Sequence, residues 1–202
     1  MRGIAVVGTG LWIALGVATS ASAADVRQPA GIQLPDAVVP GRPNLFSEVR
    51  LGGSAQEPGG PEEGSANLTG EVLFSKPFTA ADLFTSYFIP RPHVGGSINF
   101  RGDTSFAYAG LTWTYDLTSW LFVEGSFGGA VHNGNTADSK TRVPNDEAAL
   151  GCSPLFRESG SVGVRLSTNW SVMATIEHMS NAGLCPQNRG LTNVGARIGY
   201  TF

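Results

Sequence analysis

From Phe46 onward, short stretches of alternating apolar and polar residues recur between turn-rich segments. Successive side chains of a strand point to opposite faces, so sustained alternation marks a strand with two unlike sides. Eight strands are predicted, over 46–52, 67–74, 94–101, 105–117, 120–131, 156–166, 170–178 and 190–202. Gly53 to Ala66 reads as a polar loop. Ser75 to His93 is a longer connection in which Ala80-Ala81-Asp82-Leu83-Phe84 suggests a short helix. Gly102-Asp103, Thr118-Ser119 and Thr168-Asn169 read as tight turns, and His132 to Gly151 and Ser180 to Arg189 as polar loops.

The alternation assigns faces. In the seventh strand Trp170, Val172, Ala174 and Ile176 share one side, against Ser171, Thr175 and Glu177. In the eighth, Val194, Ala196, Ile198, Tyr200 and Phe202 oppose Asn193, Gly195, Arg197 and Gly199. Leu111, Trp113 and Tyr115 oppose Thr112, Thr114 and Asp116, while Leu121, Val123 and Phe127 oppose Glu124 and Ser126. The polar side carries Glu48, Arg50, Glu71, Arg101, Asp116, Glu124, Arg165, Glu177 and Arg197, a set of both signs. A periplasmic or secreted β-sandwich would bury the apolar faces in a core. A narrow barrel instead places such charges inside, paired, and turns its apolar wall to lipid. The predicted fold is all-β: an eight-stranded antiparallel transmembrane β-barrel over residues 45–202.

Trp113, Trp120, Trp170, Tyr200 and Phe202 fall near strand ends and read as interfacial girdles. The closing Phe202 resembles the C-terminal signature of outer-membrane proteins. An even strand count puts both termini on one side, and the short turns mark that side as periplasmic.

The N-terminus reads as an export signal. Arg2 supplies the charge, Ile4 to Val17 the apolar stretch and Ala21-Ser22-Ala23 the cleavage site, giving a signal peptide over 1–23. An uncleaved anchor is the alternative; the stretch is short for a span and is not followed by basic residues. Residues 24–44, with Pro29, Pro35, Pro40 and Pro43, read as an extended periplasmic segment. In an oxidising compartment Cys152 and Cys185 are expected to form a disulfide rather than remain two free thiols. Only 14% of residues are charged, the net charge is -3 and basic residues are scattered, which excludes a nucleic-acid footprint. A pore is disfavoured because eight strands leave little lumen.

The candidate chemistry lies at the end of the seventh strand. His178 and Ser180 are two residues apart and share the face of Ile176, the lipid side, at the extracellular rim. A base beside a hydroxyl is the arrangement for nucleophilic attack on an ester, and the amide of Asn181 is placed to meet an oxyanion. A polar loop start at the membrane interface is the competing explanation. A metal site is not expected, since His93, His132 and His178 are far apart and lack a carboxylate at ligand spacing. No cofactor is expected.

His178-Met179-Ser180-Asn181-Ala182-Gly183-Leu184, with Asn188-Arg189-Gly190-Leu191 and an alternating C-terminal strand, resembles the lipid A 3-O-deacylase (PagL-type) family. Pro90-Arg91-Pro92-His93 and Tyr108-Ala109-Gly110-Leu111 are also similar to that family. The resemblance implies an outer-membrane hydrolase that removes the ester-linked 3-position acyl chain of lipid A without a metal. It casts His178 as base, Ser180 as nucleophile and Asn181 as oxyanion partner. The implied partner is lipid A or lipopolysaccharide in the outer leaflet of the cell outer membrane; a homodimer stays open. The family carries a glutamate twelve residues after the serine to orient the histidine, and here that position is Thr192. Glu177 faces the lumen by alternation, so the expectation is a serine–histidine dyad assisted by Thr192 or by an acid from 132–151. The alternative is a non-catalytic structural or adhesive barrel that has lost the triad acid.

Overall fold

The structure, a computed structural model, describes residues 44–136 and 142–202. The expected signal peptide and residues 24–43 of the expected periplasmic segment lie outside the described residues. Eight strands, β1 (Phe46–Gln56), β2 (Ala66–Phe74), β3 (Arg91–Asn99), β4 (Phe106–Asp116), β5 (Leu121–His132), β6 (Leu155–Arg165), β7 (Trp170–Ser180) and β8 (Leu191–Thr201), form a closed barrel. Every neighbour is antiparallel and sequential, and β8 returns to pair with β1 (Leu51 opposite Ile198). Closure leaves no unpaired edge, which is what lets strands sit in lipid.

The strands begin and end where the alternation places them to within a few residues, with three informative differences. β1 continues to Gln56, because Gly52, Gly53 and Ser54 keep pairing with β8. β3 starts at Arg91, since Pro92 lies in the ladder opposite Leu111. β7 continues through Ser180. The helix, α1 (Leu83–Phe88), starts later than expected; the Asp82 carboxylate accepts the Thr85 N–H at 2.8 Å and caps it.

Alternation sets the burial. Ser171, Met173, Thr175, Glu177 and Met179 are buried inside, whereas Ile176 is 53% exposed on the wall. The lumen holds a paired network. Arg50 reaches Glu48 (2.8 Å), Glu71 (3.2 Å) and Glu124 (2.7 Å), and Arg91 bridges Glu48 (2.7 Å) to Glu124 (2.8 Å). Arg157 meets Glu177 at 2.6 Å, and Arg197 spans Glu71 (3.4 Å) and Glu177 (3.2 Å). Arg91 and Arg157 complete a charge balance that alternation alone left short. Arg101, expected inside, is instead exposed on a loop beside Asp103 at 3.3 Å, and Asp116 with Arg165 forms a separate pair near the turns.

The two ends differ. At the end of the short turns Trp170 meets Tyr200 (4.9 Å), Tyr200 meets Phe202 (5.6 Å) and Phe46 meets Phe74 (5.5 Å), and toward the other end Phe127 stacks on Phe156 (6.1 Å). At the other end the long loops fold over the mouth. Ala148 and Leu150 of the 142–154 loop pack among Phe106, Tyr108, Ala130, Leu155, Met179 and Leu191. Buried Glu62 ties three loops together, accepting from Thr104 Oγ1 (2.7 Å), Thr104 N (3.0 Å) and Ala148 N (3.1 Å). Charge network and plug together fill the lumen.

Candidate active site

Because β7 stays regular through Ser180, His178 and Ser180 both point outward with Ile176. His178 stands opposite Thr192 of β8 on one flank and opposite Glu158 of β6 on the other. Thr192 shares the face of Val194, and Glu158 that of Val162, so all four side chains look off the barrel. The rest of the wall is apolar, proline or glycine at every outward strand position among the described residues. Four polar side chains on an otherwise apolar surface would be unremarkable if scattered. Here they are contiguous, next to the plugged mouth.

The imidazole is held on its Nδ1 side. Nδ1 lies 2.8 Å from Thr192 Oγ1. Its other edge rests on Gly190, where φ is +74° and a Cβ would stand 2.8 Å from Cε1 and 3.1 Å from Nε2. Gly190 lies one ladder step beyond the Met179–Leu191 pair, at the level of Ser180. Nε2 is therefore the free ring nitrogen, and it faces the step that Ser180 occupies. Two positions along a strand span about 6.6 Å between Cα atoms. No hydrogen bond joins Ser180 to His178 in this arrangement, and catalytic hydrogen bonds commonly tighten only when substrate is bound.

Asn181 begins the next loop and is 2% exposed. Its Nδ2 donates to Leu150 O (2.8 Å) and Gln187 O (2.6 Å), and its Oδ1 accepts from Gly183 N (2.9 Å). Its backbone N–H donates to Asn188 Oδ1 at 2.9 Å. Asn181 thus braces the loop after the serine against the 142–154 plug. Cys152 and Cys185 form the expected disulfide, Cα atoms 6.1 Å apart, and link the same two loops.

The other sequence candidates lie elsewhere. His93 is buried in the lumen with Nδ1 2.9 Å from Thr112 Oγ1, and His132 Nε2 is 2.9 Å from Cys152 O. Glu147, the loop acid nearest in kind to a triad member, accepts from Asn135 Nδ2 at 2.7 Å within its own loop. Glu177 is inside the barrel with Arg157 and Arg197, as alternation requires. Two residues of the site escaped the sequence reading. Gly190 matters only because the ring lies on it. Glu158 follows Arg157, and its outward parity could have been read, but its place opposite His178 depends on the β6–β7 register.

A family model described as lipid A 3-O-deacylase (PagL) matches residues 93–201, which include all four polar wall residues. The barrel superposes on the crystal structure of the outer membrane enzyme PagL with a TM-score of 0.57 at 18% identity, covering 77% of this chain and 100% of that chain. A de novo designed transmembrane β-barrel gives a TM-score of 0.49 at 13% identity, covering 80% of this chain and 98% of the design. The N-terminal β-barrel domain of Pseudomonas aeruginosa OprF gives 0.48 at 11%, covering 80% and 100%. At 18% identity the likeness to the PagL structure establishes the fold alone. No curated protein matches the chain.

Proposed function

We propose, for a chain that belongs to the lipid A 3-O-deacylase (PagL) family, an outer-membrane esterase that removes the ester-linked 3-O acyl chain of lipid A. The observation that carries this reading is the contiguous polar quartet on the lipid-facing wall, with His178 and Ser180 at its centre. An acyl chain lying along Ile176, Val194 and Val162 would bring its ester to the rim where the quartet sits.

In the mechanism, His178 carries its proton on Nδ1, donates it to Thr192 Oγ1 and keeps Nε2 as base. Rotation about χ1 closes Ser180 Oγ onto Nε2. As Oγ attacks the ester carbonyl carbon its proton moves to Nε2, and the carbonyl electron pair moves onto oxygen. Collapse breaks the bond to the sugar oxygen, which takes the proton from His178 and leaves an acyl group on Ser180. Water, deprotonated by the same nitrogen, then releases the fatty acid and restores the serine. The Asn181 N–H serves the oxyanion by exchanging its Asn188 partner, at the first residue beyond the nucleophile. Thr192 fixes the tautomer but carries no charge to balance the imidazolium.

Residence in the outer membrane, with the long loops outward, follows from the same reading. The purified barrel in detergent micelles should release free fatty acid from lipid A, and Ser180→Ala should abolish the release. The second reading is a non-catalytic barrel, favoured by Thr192 at the family's glutamate position; it expects no release from either protein.

A further inference from the structure

Glu158 is the only charged side chain at an outward strand position among the described residues. It is exposed on β6, and no described side chain pairs with it. A charge on the lipid face of a barrel costs up to several kcal/mol at the midplane and close to nothing near the interface. Three positions into β6 from the loop end, Glu158 sits where that cost is small but where an apolar residue would serve the wall better. Its ladder partner is His178. Residues directly opposite across an antiparallel pair have Cβ atoms about 5 Å apart, within reach of a glutamate side chain.

We propose that Glu158 is the carboxylate that serves His178 in this chain, a positioning residue that balances the imidazolium from the β6 flank while Thr192 holds Nδ1 from the β8 flank. The inference rests on the proposed esterase reading. The work of one triad acid is divided: tautomer and ring plane are set by the threonine, and charge by a glutamate on the opposite neighbouring strand. Among the described residues no other charged group faces the ring. On β7 itself Glu177 points inward, on β6 Arg157 points inward, β8 presents Thr192 and Val194, and Arg189 of the adjoining loop turns to Glu57 at 3.5 Å.

The test compares wild type with Glu158→Gln, Glu158→Asp, Glu158→Gln/Thr192→Glu and Ser180→Ala, each shown to be folded by heat-modifiable migration. Two readouts are taken: steady-state release of fatty acid from lipid A in micelles, and labelling of Ser180 by a fluorophosphonate. A unit charge a few ångströms from the imidazolium at interfacial dielectric corresponds to about a tenfold effect on rate. Glu158→Gln should therefore lower kcat and the labelling rate about tenfold with KM unchanged. Glu158→Asp should retain most of the rate, and Thr192→Glu should restore it in the Gln background. Glu158→Gln that labels and turns over like wild type overturns the inference while leaving the esterase reading intact. A change in KM alone also overturns it, by making Glu158 a lipid contact. Failure of the esterase reading looks different: wild type neither hydrolyses lipid A nor labels at Ser180, and the inference falls with it. If wild type labels but does not hydrolyse lipid A, the labelling rates of the variants still decide the role of Glu158.

Discussion

His178 and Thr192 face each other across the β7–β8 ladder, with Nδ1 and Oγ1 2.8 Å apart on the outer wall of the barrel. A hydroxyl at this place can orient the ring, and it cannot neutralise it. In the Glu158→Gln background Thr192→Glu should therefore raise kcat by roughly tenfold, because an orienting acid supplies the balancing charge in comparable triads. Thr192→Val should lower kcat several-fold by freeing the tautomer. Steady-state lipid A hydrolysis by the two folded variants checks both.

Gly190 lies under the imidazole at φ +74°, with room for no Cβ beside Cε1. Gly190→Ala should displace the ring and strain the backbone, lowering kcat/KM by about a hundredfold, the scale on which small displacements of catalytic groups act. The barrel should remain folded, since Gly190 precedes β8 and lies outside its ladder. Activity and heat-modifiable migration, measured together, separate the two effects.

The disulfide joins loops 33 residues apart in sequence, just beyond Ser180 and just before β6. Closing a loop of that length restrains the unfolded chain by about 3–4 kcal/mol in the chain-entropy model. Cys152→Ser/Cys185→Ser should leave the eight strands folded but render 142–154 and 181–190 sensitive to protease. Activity should fall as Asn181 loses its fixed plug. Limited proteolysis with mass mapping reads the first outcome directly.

Glu177 accepts from both Arg157 and Arg197 in the lumen. Replacing one partner of a buried ion pair leaves the other charge uncompensated and costs about 3–5 kcal/mol. Glu177→Gln should lower the urea midpoint of the barrel more than Glu158→Gln, although the two acids lie on neighbouring strands. Equal midpoints would place Glu177 outside the network.

The barrel was legible because alternation is a property of single strands. Strand seven announced its own faces, so the outward parity of His178 and Ser180 could be read before any neighbour was known. What alternation cannot supply is register. Glu158 could be placed on the wall but not opposite His178, and Arg91 was hidden in what read as a connection, because prolines on both sides obscured the start of β3. Loop geometry was the other limit. Asn181 stands next to the serine in sequence, yet its side chain is committed to Leu150 and Gln187, partners set by how two distant loops pack. The aromatic residues show the same boundary: Trp170, Tyr200 and Phe202 were identified as girdle residues, while their packing on one another depends on register.

The proposed activity of the polar quartet on the outer wall is deacylation of lipid A through Ser180. Mass spectrometry of lipid A from cells lacking this protein, expressing it, and expressing Ser180→Ala tests it most directly. Loss of one ester-linked acyl chain is expected only with the wild-type protein, and unmodified lipid A in the other two. Identical acylation in all three, with the barrel present in the outer membrane, would contradict it.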